Sequence, residues 1–83
     1  MTIIDEGVLR IACETFDIGF AQIGPDTRLA ELDASEDDRV MFAANIEAMF
    51  GVELSDDDVL GAVKLGDFAE AVARALEKER KVA

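Results

Sequence analysis

Apolar residues recur at helical spacing in four stretches, and no run alternates long enough to read as a strand. In the first stretch Ile4, Val8, Ile11 and Thr15 form one row, with Leu9, Ala12 and Phe16 beside it. Thr2 stands ahead of them with Asp5 three positions on, the spacing of a capping box. Gly19 is the expected stop. Residues 18–34 then lose the period and hold Gly19, Gly24 and Pro25, the only proline. A connection of this length must pack on the body through its own apolar groups. Phe20, Ile23, Leu29 and Leu32 are the expected anchors.

A second helix begins at Ser35, which caps it with Asp38 at the third position. Glu36 and Asp37 sit in its first turn, where the macrodipole favours negative charge. Phe42, Ile46, Met49 and Phe50 are expected to face the core, and Gly51 to end the helix. Ser55 and Asp58 repeat the capping spacing and open a short helix to about Leu60. Leu65, Phe68, Ala69, Val72 and Leu76 mark the last helix. Lys78, Arg80 and Lys81 suit the negative pole at its end. The expected fold is therefore all-α, a four-helix bundle in a single domain, 1–83, with a long first loop and a short third helix.

At 83 residues a core is marginal, and well-packed helices are the usual route to stability. The 51% hydrophobic content fits a folded chain rather than a disordered one. No apolar run approaches the roughly 20 residues of a membrane span. No basic start leads into a long apolar segment, so no secretory signal is expected. One cysteine excludes an internal disulfide. These features suit a cytoplasmic protein, expected to be a monomer when free.

The net charge of -11 argues against nucleic acid and anionic membranes as partners. Between Glu31 and Asp58 the only base among many carboxylates is Arg39. Such a face draws a basic surface on a partner, chiefly through association rate. A solvated, solubilising surface accounts for the same charge.

One stretch carries more than periodicity. Asp26-Thr27-Arg28-Leu29-Ala30-Glu31-Leu32-Asp33-Ala34-Ser35-Glu36-Asp37 resembles the approach to the second helix in acyl carrier proteins. The family pattern there is Asp-Thr-x-Leu-x-x-Leu-Gly-x-Asp-Ser-Leu, whose serine takes the 4'-phosphopantetheine arm. Asp26, Thr27, Leu29 and Leu32 match. Asp33 replaces the glycine, Ser35 the aspartate, Glu36 the serine and Asp37 the leucine. The segment from Ile46 to Asp57 resembles the family's Leu-Glu-x-x-Phe-x-x-x-Ile-Pro-Asp-Glu. Leu65 to Val72 resembles the opening of its fourth helix. The resemblance runs without a gap from Asp26 to Val72, and Ile3 to Phe16 suits the first helix. It implies the acyl-carrier type of bundle and an acidic second helix presented to basic partner enzymes. It does not carry the attachment chemistry over, because a carboxylate cannot be phosphopantetheinylated. Function lies in the site rather than the fold.

Each candidate residue has a plainer reading beside it. Ser35 is a pantetheine anchor only if the helix start slips by one residue, turning the hydroxyl by roughly 100°; as a helix cap it needs no further account. Glu36 can imitate a negatively charged modified serine, or simply stabilise its helix. Asp56, Asp58, Gly61 and Asp67 fall near the spacing of a calcium loop. Leu60 and Lys64 occupy ligand positions there, and Asp67 replaces the bidentate glutamate. Cys13 has no histidine to pair with, because the chain contains none, and it reads as a small hydrophobe. The same lack removes the common zinc constellations, and no metal site or catalysis is expected. Val40, Met41, Ala44 and Glu47 on the flank of the second helix make a docking surface, or ordinary exposed apolarity.

Three functions follow as expectations. The leading one is a carrier-like domain without its prosthetic group, docking on the basic surface of a partner enzyme as an accessory or regulatory subunit. Its contact is Glu36, Asp37, Asp38, Val40, Met41, Ala44 and Glu47. The second is a working acyl or aminoacyl carrier bearing 4'-phosphopantetheine on Ser35. The third is a calcium-responsive helical module.

Overall fold

The structure, a computed structural model, describes residues 2–82, and side chains as far as residue 79. Helix α1 spans Ile3–Phe16, α2 Glu36–Phe50, α3 Asp56–Gly61 and α4 Leu65–Val82. Two 3-10 turns, Phe20–Gln22 and Leu29–Leu32, punctuate the long first connection. No strand occurs among the described residues, and no helix there is long and apolar enough to cross a membrane. Helix α1 packs on both α4 and α2, and α3 fills the gap between α2 and α4.

The helix starts follow from local chemistry. Thr2 Oγ1 accepts the Asp5 N–H at 3.0 Å, and the Asp5 carboxylate accepts the Thr2 N–H at 3.1 Å. Ser35 and Asp38 repeat this at α2, with bonds of 3.1 and 3.0 Å. Two orphan donors are satisfied at each start. Helix α3 uses half of the device: Ser55 Oγ accepts the Asp58 N–H, while the Asp58 carboxylate turns to Arg74 at 3.0 Å. Gly51, at φ +67°, closes α2.

Three expectations need correction. Helix α1 stops before Gly19: Asp17 takes the left-handed conformation (φ 54°), and the Ile18 N–H returns to the Cys13 carbonyl. Aspartate tolerates this geometry well enough to act as the cap. Met49 does not enter the core, being 57% exposed; Ala43 takes the inward position, and Phe50 packs at its edge. Phe20 is not an anchor of the first loop. It lies on the surface with the Arg10 guanidinium 5.3 Å from its ring centre, a cation–π contact. The expected basic groups Arg80 and Lys81 have side chains outside the described residues.

The core centres on Phe42 and Phe68, both fully buried, with rings 4.8 Å apart at 66°. Phe16 meets the other side of Phe42 at 5.4 Å. Edge-to-face pairs of this kind add to the burial of the rings. Leu9, Leu29, Ile46, Leu65 and Val72 surround them, all buried. Leu29 brings the first loop into the core, and Ile23 and Leu32 pack at its margin. The loop is then fastened to the start of α4 through backbone bonds. The Leu29 N–H donates to Val63 O, the Leu65 N–H to Thr27 O and the Gly66 N–H to Pro25 O, each within 2.9 Å. Arg28 and Lys64 pair here as an isolated antiparallel bridge.

Candidate docking face

Ser35 is exposed, and its hydroxyl oxygen accepts the Asp38 N–H as the helix cap. Glu36 and Asp37 project from the first turn into solvent. Asp38, by contrast, is half-buried, and its carboxylate holds the Ser35 N–H. Of the three acids in this turn, two are free for a partner and one belongs to the fold.

Along the helix, Val40 and Met41 are more than half exposed, and Ala44 is exposed. Glu47 differs from its expected role. It is half-buried, and its carboxylate accepts the Leu54 N–H at 2.8 Å. A long-range bond of this kind ties the end of α2 to the chain approaching α3, and spacing along the sequence does not reveal it.

Arg39 is the residue that sequence reasoning passed over. Its Nη1 donates to Ala62 O at 2.6 Å and to Val59 O at 3.3 Å. These carbonyls close α3, where the helix leaves its last acceptors unpaired. A cation at that pole is also favoured by the helix dipole. The signal was a single base within a long acidic segment, but its partner is a backbone carbonyl twenty positions away.

The carboxylates of the calcium-like spacing do not converge. Asp58 binds Arg74. Asp67 accepts the Val63 N–H at 2.8 Å and the Lys64 N–H at 3.1 Å, satisfying donors at the start of α4. The Val63 bond is the main cause that lowers the Asp67 pKa from its ordinary 3.8. Partial burial opposes this, and the Lys64 N–H with the charges of Lys64 and Arg74 reinforces it. Among the described residues no three carboxylate or thiol groups are arranged to hold a metal ion. Cys13 is half-buried on α1. An open groove of about 740 Å³ lies elsewhere, between α3 and α4, with Ala71 and Ala75 as its floor and Arg74 bonded across it to Asp58.

No family model matches this chain, and no curated protein matches it. What the chain does must therefore be read from its own residues.

Proposed function

We propose that this chain is a carrier-protein-like domain of the acyl-carrier type that acts by docking through α2, without a prosthetic group, as an accessory or regulatory partner of an enzyme. One observation carries the reading: Ser35 is spent as the cap of α2, and an exposed carboxylate, Glu36, stands where the resembling family has its attachment serine. The long first loop, the short α3 and the gap-free spacing from Asp26 to Val72, despite the departures at Asp33, Ser35, Glu36 and Asp37, support the kinship. Exposed Val40 and Met41 beside Glu36 and Asp37 supply an apolar centre with a charged rim, the usual anatomy of a contact surface.

Charge reversal must spare Asp38, which holds the Ser35 N–H. In Glu36→Lys with Asp37→Lys, α2 keeps its capping box and the partner is released. A co-purifying protein equally retained by this double variant sinks the reading.

A second reading stays open because Ser35 is exposed. Incubation with coenzyme A and a broad-specificity phosphopantetheinyl transferase, followed by intact-mass measurement, separates the two. An unchanged mass supports docking alone. A mass gain that disappears in Ser35→Ala makes the chain a working carrier of acyl or aminoacyl groups.

A further inference from the structure

Five large apolar side chains stand more than half exposed on α2, on α3 and just after it: Val40 (54%), Met41 (57%), Met49 (57%), Leu60 (52%) and Val63 (58%), all but Met49 within two residues of Arg39 or of its two carbonyl partners. Val40 lies two turns before Glu47 on the same face of α2. Arg39, next to Val40, bonds the carbonyls of Val59 and Ala62, the residues immediately before Leu60 and Val63. Arg39 thus joins α2 to the end of α3, with Val40 and Met41 following it in sequence and Leu60 and Val63 following its two acceptors, and these residues flank the seam it spans. Half-exposed groups gathered from separate elements differ from the scattered apolarity of an ordinary surface.

The rim of this seam carries both signs. Glu36 and Asp37 flank it on the α2 side. On the α3 side the Leu29 N–H bonds Val63 O, so the Arg28–Lys64 bridge borders Val63. Arg28 is exposed and makes no ion pair among the described residues. Lys64 has only a loose exposed pair, 3.7 Å from Asp26. A partner of one sign meets a like charge on one flank, which disfavours it. A second copy of this chain brings a net charge of -11 against its own, so self-association is opposed.

We propose that this seam docks a partner protein whose contact has an apolar centre, bases toward Glu36 and Asp37 and acids toward Arg28 and Lys64. Arg39 acts as the positioning residue that keeps the α3 half of the face in place. The inference rests on the docking reading and adds to it the charge pattern and register of the partner.

Two synthetic helical peptides of 18 residues test it, titrated by fluorescence polarisation at near-physiological salt to screen distant charge. Both carry one leucine stripe. The first has lysines along one flank and glutamates along the other, and so no net charge. The second has lysines along both. In Arg28→Glu with Lys64→Glu, affinity for the first peptide falls about threefold to tenfold, and affinity for the second rises. The neutral peptide is insensitive to overall protein charge, so its loss reports the flank itself. In Arg39→Gln, amide shifts at Leu60 and Val63 on adding the first peptide disappear while those at Val40 persist. Arg39→Lys restores part of them, and circular dichroism shows the helices retained in both. Binding that depends on Glu36 and Asp37 but is indifferent to Arg28, Lys64 and Arg39 overturns this inference and leaves the docking reading standing. Absence of binding by either peptide removes both. Concentration-dependent sedimentation with shifts at the same residues assigns the seam to a second copy instead.

Discussion

Gly66 donates its N–H to the carbonyl oxygen of Pro25 at 2.8 Å, and a Cβ at Gly66 would stand 2.9 Å from that same oxygen. The contact is with backbone, which cannot swing aside. Gly66→Ala must therefore part the first loop from α4 or bend one of them. We expect a loss of about 1–3 kcal/mol, the range for a forced overlap in a packed site. A urea melt measures it. Gly24→Ala is the control, because nothing lies within 4 Å of its added carbon; an equal shift in both variants would refute the close-approach account.

Phe42 lies between Phe16 and Phe68 and has no exposed surface. Phe42→Ala should cost about 3–5 kcal/mol, enough to unfold a domain of this size. Met49→Ala, at an exposed position, should move the midpoint little. Thermal unfolding compares the two directly, and a large loss at Met49 would restore it to the core.

Removing the cap in Ser35→Ala should cost about 0.5–2 kcal/mol. Asp38→Ala breaks the reciprocal bond to the Ser35 N–H and should have a comparable effect. The two losses should fall short of adding, since both residues serve one box. Strict additivity in a double-mutant cycle would contradict that coupling.

Asp67 gives the domain a specific acid sensitivity. Its pKa is lowered, mainly by the Val63 N–H, so it binds a proton less readily folded than unfolded. Its contribution is full above the unfolded value near 3.8 and is lost as pH falls through the lower folded value. At neutral pH Asp67→Ala should be less stable than the parent by about 1–2 kcal/mol, for bonds to a charged acceptor at a partly exposed site. The gap should narrow as the pH drops from 3.8 through the lower folded value. Denaturation curves from pH 7 to pH 2.5 would show it, and a gap that widens in acid reverses the sign.

The helix starts were readable because their chemistry is local. Thr2 with Asp5 and Ser35 with Asp38 bond within one turn, so spacing alone identifies them. The end of α1 was misread because glycine is the usual left-handed residue, yet Asp17 adopts that conformation two positions earlier. Met49 sits at helical spacing from Phe42, but α2 is apolar on its outer side too, so periodicity could not choose the buried face. Arg39 and Glu47 were hidden for another reason. Each side chain bonds backbone atoms beyond its own helix, at Val59, Ala62 and Leu54. An arginine in an acidic run suggests charge balance, and a glutamate beside exposed alanines suggests a contact surface. Only the fold shows both holding α3.

The bonds joining Pro25, Thr27 and Leu29 to Val63, Leu65 and Gly66 also bear on the route by which the chain folds. Each helix can begin from neighbours in sequence, but these bonds close a span of roughly forty residues, and the entropy of that closure is lost before the contacts return anything. The fastening should therefore form late, after α2 and α3 have collapsed between its two ends. Gly66→Ala should then accelerate unfolding and leave refolding nearly unchanged, which stopped-flow chevrons resolve.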